Sequence, residues 1–164
     1  MIIDPAKVPV KIGSIYPEPY ASMMVGRSSL RLGEAGGLTQ FGVNLVTLVP
    51  GALSSLRHWH LHEDEFVMMT AGECILVQDA GEVPMRPGDY AAFPAGIPDG
   101  HHFINRTDQN AQFLVIGSKA PREVATYSDV DLQVKMAGGR ARFTHKDGAP
   151  YVAPVHAPAD GDQK

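Results

Sequence analysis

The stretch His58-Trp59-His60-Leu61-His62-Glu63-Asp64-Glu65, followed by Phe66-Val67-Met68-Met69-Thr70-Ala71-Gly72-Glu73-Cys74-Ile75-Leu76-Val77-Gln78, decides how the chain is read. On a strand, residues i and i+2 point to one face. His58 and His60 therefore project two imidazoles from the same side, and Trp59 faces the other way. His62 keeps that parity but lies at the strand's end. Chain reversal through Glu63 and Asp64 would carry Glu65 onto a facing strand. Glu73–Gln78 is apolar on both alternating faces, which suits a strand covered on both sides.

The same texture extends in both directions. Phe41 to Val49 stops at Pro50-Gly51, and Leu53 to His60 follows. Glu65 to Thr70 stops at Ala71-Gly72, and Glu73 to Gln78 at Asp79-Ala80-Gly81-Glu82. Val83 to Arg86 stops at Pro87-Gly88, and Tyr90 to Phe93 at Pro94-Ala95-Gly96. His101 to Asn105 and Gln112 to Gly117 complete about eight short strands, with turn signals every 8–12 residues. No helical period competes, so an all-β sandwich or barrel is expected over 41–118.

Residues 1–40 carry closely spaced prolines and glycines and read as an irregular arm with one or two short strands around 22–31. The arm packs on its own barrel or a partner's. It has no room for the two helices of a helix-turn-helix head. Its apolar residues, among them Ile2, Ile3, Val8 and Val10, predict a homodimer in which the arm completes a sheet edge. Residues 119–164 read as a C-terminal extension, with Tyr127–Leu132 packing on the barrel, and a loose tail from 153.

Composition narrows the function classes. The 164 residues include 17 glycines and 13 prolines, suited to many turns. Net charge is −4 and the basic residues are scattered, which argues against nucleic acid and against a polybasic membrane anchor. The N-terminus lacks the apolar core of a signal peptide, and no apolar run approaches a membrane span. The single cysteine, Cys74, fits a reducing compartment, so the cytoplasm is expected. Cys74 itself reads as buried and inert.

Five of the seven histidines lie within 58–102: His58, His60, His62, His101 and His102. Taken singly, each has an ordinary reading as an exposed or hydrogen-bonded side chain. Their joint spacing is more specific. Gly51, six residues, His58, one, His60, four, Glu65, six, Gly72 closely resembles the first motif of the cupin superfamily. Gly88, five, Pro94, one, Gly96, four, His101, three, Asn105 resembles the second. The gap before His58 is one residue longer than usual and the gap after Gly96 two longer, so either His101 or His102 could be the matching histidine. His101 is favoured because it keeps the three-residue gap to Asn105. The flanks look like those of small single-domain bacterial cupins.

The resemblance implies a jelly-roll barrel, also called a double-stranded β-helix, enclosing one divalent transition metal: Mn, Fe, Ni, Cu, Co or Zn. The implied ligands are His58, His60, Glu65 and His101. Inward parity nominates Val67, Met69 and Phe103 as pocket lining, and Asn105 shares the face of His101; His62 and His102 are taken as further residues around the ligands. No Arg or Lys stands out as a phosphate clamp, so a small organic molecule with apolar parts is the expected ligand. The function implied is a metal-dependent enzyme of dioxygenase, isomerase, lyase or decarboxylase type. The alternative is a binding module for a small ligand or sugar.

Overall fold

The structure, a computed structural model, describes residues 1–151. Its elements are β1 (Val10–Ile12), β2 (Arg27–Arg31), α1 (Leu32–Ala35), β3 (Phe41–Leu48), β4 (His58–His60), β5 (Glu65–Ala71), β6 (Cys74–Gln78), β7 (Gly81–Met85), β8 (Tyr90–Phe93), β9 (His102–Ile104), β10 (Ala111–Ser118), β11 (Arg122–Tyr127), β12 (Gln133–Ala137) and β13 (Arg140–Thr144), with two short 3-10 turns in the first 24 residues. The fold is the expected all-β barrel. The tail expected from 153, with His156, lies outside the described residues.

Six strands form one layer in the order β1-β2-β3-β10-β5-β8. Two smaller sheets, β13-β12-β11-β4 and β7-β6-β9, make the rest. β4 and the stretch before it meet the three-stranded sheet at two isolated antiparallel bridges, Leu53 with Ile104 and His58 with His101. The His58 amide donates to the His101 carbonyl at 3.1 Å, and the His101 amide donates back to the His58 carbonyl at 2.9 Å.

Period-two burial fills the interior. Val46 and Leu48 of β3, Val67 and Met69 of β5, and Ala111 and Phe113 of β10 meet Cys74, Leu76, Met85 and Phe103 from the three-stranded sheet in one core. A second cluster joins Met24, Leu56, Ala125, Tyr127, Leu132 and Val134, with Tyr16 and Phe143 packed against it. Gly72 turns β5 into β6 at φ +68°, and a Cβ there would collide with the Asn110 carbonyl, so this position of the motif requires glycine.

Two expectations change. Residues 119–164 were expected to lie outside the barrel as extension and tail, yet residues 122–144 build three strands, and β11 pairs with β4 through Ala125↔His60 and Tyr127↔His58. Prolines and glycines flanking these strands mask the alternation of Glu123-Val124-Ala125-Thr126-Tyr127. The arm at 1–40 is also more ordered than expected. β1 pairs with β2, and β2 with β3, so the arm extends this chain's own sheet.

Candidate metal centre

β4 is short because Ser54-Ser55 precedes it and the reversal through Glu63-Asp64 follows. On it, His58 and His60 face inward with ring centroids 4.9 Å apart. Glu65 opens β5 in the opposite layer. Donor atoms of His58, His60 and Glu65 lie within 4.8 Å of one another, a spacing that could hold one metal ion. His101 completes the group: its Nε2 is 3.2 Å from Glu65 Oε1, and its ring lies 5.1 Å from that of His58. The structure thus brings together the four residues that the cupin resemblance implies, and it is His101, not His102, that lies beside Glu65. His102 points away, with Nδ1 3.2 Å from the Ser55 carbonyl.

Each ring is held. His58 Nδ1 lies 2.9 Å from the Leu56 carbonyl, which accepts from the Nδ1–H tautomer and leaves Nε2 with its lone pair. His101 is 2% exposed and stacks on Phe93 at 3.5 Å, nearly parallel. His60 sits between two carboxylates, with Nε2 3.8 Å from Glu65 Oε2 and Nδ1 3.7 Å from Glu123 Oε1. Glu123 is 1% exposed and is anchored by accepting the Leu61 amide at 2.8 Å and the His62 amide at 2.9 Å.

The electrostatics suit metal ligation. Burial, then the neighbouring His60 and His101, push the His58 imidazolium down to about 3, so the ring is neutral and able to donate a lone pair. Burial works against ionising Glu65. The hydrogen bond from His101 leads the opposing causes and holds the carboxyl below its usual range. Nδ1 of His60 and of His101 are buried without a hydrogen-bond partner among the described residues. Such orphaned groups cost ~1–3 kcal/mol each unless something fills the site. Imidazoles plus one carboxylate fit a divalent transition metal.

Four other nominated residues take different places. Asn105 does not face the site: its amide donates to the Leu48 and Gln109 carbonyls, and its Oδ1 accepts from the Thr107 amide and hydroxyl, so it ties a loop. Val67 and Met69 share Glu65's parity but are packed deep in the core rather than lining the cavity. His62 is exposed at the β4 end. Phe103 does line the cavity, which has a volume of about 310 Å³.

Sequence reasoning missed Glu123, Tyr16, Tyr127, Lys11 and Arg27. Tyr127 stacks obliquely on His58 at 5.7 Å, and Tyr16 packs edge-on to Tyr127. Lys11 and Arg27 line the cavity, which corrects the expectation that no cationic side chain would be available there. The alternation of 123–127 was the available signal for Glu123 and Tyr127. The arm residues carried none, because only the pairing of β1 and β2 onto β3 brings them to the cavity.

The Cupin domain family matches residues 44–117. A crystal structure of a sugar phosphate isomerase from a cupin superfamily, from Silicibacter pomeroyi DSS-3, is 57% identical with a TM-score of 0.90, covering 93% of this chain and 98% of that one. A protein from Acidithiobacillus ferrooxidans, provisionally named a sugar phosphate isomerase, is 25% identical with a TM-score of 0.74 over 89% of each chain. The polyketide cyclase RemF from Streptomyces resistomycificus shares the fold at 20% identity and a TM-score of 0.60, over 72% of this chain and 78% of that one. No curated protein matches the sequence. With the paired motifs, the barrel and a relative of this likeness in agreement, the chain belongs to the cupin superfamily.

Proposed function

We propose that the protein is a metal-dependent isomerase of a small sugar phosphate, with His58, His60, Glu65 and His101 holding one divalent transition metal. The observation that carries this reading is the convergence of two strand-borne imidazoles and a carboxylate within 4.8 Å, with His101 against the same carboxylate. The name of the Silicibacter pomeroyi relative supports the substrate class.

A bound divalent ion would supply Lewis-acid polarisation of a substrate oxygen. The chain's own residues do the rest. The Leu56 carbonyl orients His58, and Phe93 fixes the plane of His101. Glu123 Oε1 lies 3.7 Å from His60 Nδ1, beyond hydrogen-bond distance, and is the carboxylate placed to orient that ring once a metal is held. Phe103 and Phe113 give the cavity an apolar lining, and Tyr16 lines it too.

Elemental analysis of protein purified without added metal tests the site. The expected result is about one transition metal per chain, lost in His58→Ala. Incubation with aldose and ketose phosphates, followed by NMR, tests the reaction. If no metal is bound, and added metal raises the Tm of neither the wild type nor His58→Ala, the reading fails. A tightly bound compound recovered chemically unchanged would favour a binding module instead.

A further inference from the structure

We infer that Lys11 and Arg27, with the hydroxyls of Ser54 and Ser55, form the seat for the phosphate group of the substrate. The inference rests on the isomerase reading and adds the residues that would choose a phosphorylated substrate over a neutral one.

All four residues line the cavity that contains His58, His60 and Glu65. Arg27 is fixed there: its Nε donates to the Ser54 carbonyl at 2.6 Å and its Nη1 to the Gly13 carbonyl at 3.0 Å. Its Nη2 makes no protein hydrogen bond among the described residues. A guanidinium held by two of its nitrogens presents the third without further loss of rotamer freedom. Lys11 lies on β1, opposite Ser29 of β2. Its ammonium has no ion-pair or hydrogen-bond partner among the described residues. Burial, then the nearby Arg31 and Arg27, hold that ammonium below its usual range, as expected of a cation crowded by cations. Ser54 Oγ accepts from the Phe103 amide at 2.9 Å and meets Ser55 Oγ at 3.3 Å, so the hydroxyl pair keeps one proton to donate to a ligand.

The charge balance points to an anion. In a chain of net charge −4, two cations meet at one cavity where the described lining holds only one carboxylate, Glu65. Glu65 is already engaged by His101. Two cations and two hydroxyls match the charge and acceptor oxygens of a phosphate monoester.

The test is calorimetric titration of the full-length protein with inorganic phosphate, D-ribose 5-phosphate and D-ribose. Wild type, Lys11→Gln, Lys11→Arg and the exposed control Lys7→Gln are compared, and metal content is measured on each. Expected are phosphate and ribose 5-phosphate binding weakened tenfold or more in Lys11→Gln, restored in Lys11→Arg and unchanged in Lys7→Gln, with metal content the same throughout. Ribose binding should not respond to Lys11. Equal binding of phosphate by wild type and Lys11→Gln would overturn the seat, as would no phosphate binding by the wild type. Phosphate binding lost in His58→Ala but intact in Lys11→Gln would place the anion on the metal and overturn it too. Metal content reports on the metal reading separately. A protein that binds phosphate through Lys11 but holds no metal keeps the seat and loses the metal-dependent isomerase.

Discussion

The two apolar clusters of this barrel are built differently. The first, around Phe113, Val46, Val67, Met69 and Cys74, is aliphatic and phenyl, contains no hydroxyl, and draws on segments between 46 and 113. The second, around Met24, Leu132 and Tyr127, gathers Tyr16, Tyr20, Phe143 and Tyr151 from the two ends of the chain. Its tyrosines bond outward: Tyr20 and Tyr151 hydroxyls meet at 3.2 Å, and Tyr151 donates to the Asp131 carbonyl at 2.9 Å. The first cluster is the apolar floor beneath the site. The second is a brace behind His58 whose large rings carry hydrogen-bonded hydroxyl tips.

Four measurements would break or sharpen that contrast. Phe113→Ala should cost ~3–5 kcal/mol in urea unfolding, because the floor has no way to collapse around the void. Leu132→Ala, fully buried in the brace, should fall toward the lower end of the ~2–5 kcal/mol range for such changes, since half-buried tyrosines around it can shift. A loss as large as that of Phe113→Ala would erase the distinction between floor and brace.

Glu123→Gln addresses the join between brace and site. It should weaken metal retention about tenfold, the low end of the ~10–100-fold range for a carboxylate behind a histidine ligand, while leaving the fold intact. Chelator competition would measure it, and unchanged retention would reduce Glu123 to a tether for the Leu61 and His62 amides.

The smallest effect is expected at the rim. Arg57 Nη2 pairs with Asp129 at 2.6 Å, and its Nη1 pairs with Asp79. The hydrogen bond from Arg57 holds the Asp129 carboxyl below its usual value of 3.8. Because the folded value is the lower one, the stability from this pair is complete above about pH 4 and disappears as pH falls through the folded value. Asp129 is largely exposed, so Asp129→Asn should cost only ~0.2–1 kcal/mol at pH 7 and nothing in strong acid. A constant difference from pH 7 to pH 2 would contradict the pairing.

The floor was legible in the sequence and the brace largely was not, for a physical reason. Floor strands alternate cleanly between turn residues, and strand parity alone puts His58 and His60 on one face. The same parity overreached at Val67, Met69 and Asn105, because facing inward does not say whether a residue meets the cavity, the packed core or a loop. The brace depends on long-range pairing, such as Tyr127 with His58, that no local pattern encodes. Lys11 and Arg27 belong to the same class: a cation in an irregular arm acquires meaning only when its strand is placed.

The bridge between His58 and His101 has a consequence for how the protein assembles. Its two amide hydrogen bonds are the part of the seam between the smaller sheets that lies at the site, and the rings borne by the same two residues face the cavity. A cation gripped by both rings would act as a rivet across that seam, tying occupancy of the hollow to closure of the wall. Slowed deuterium uptake at those two amides would then register cargo and architecture in one reading.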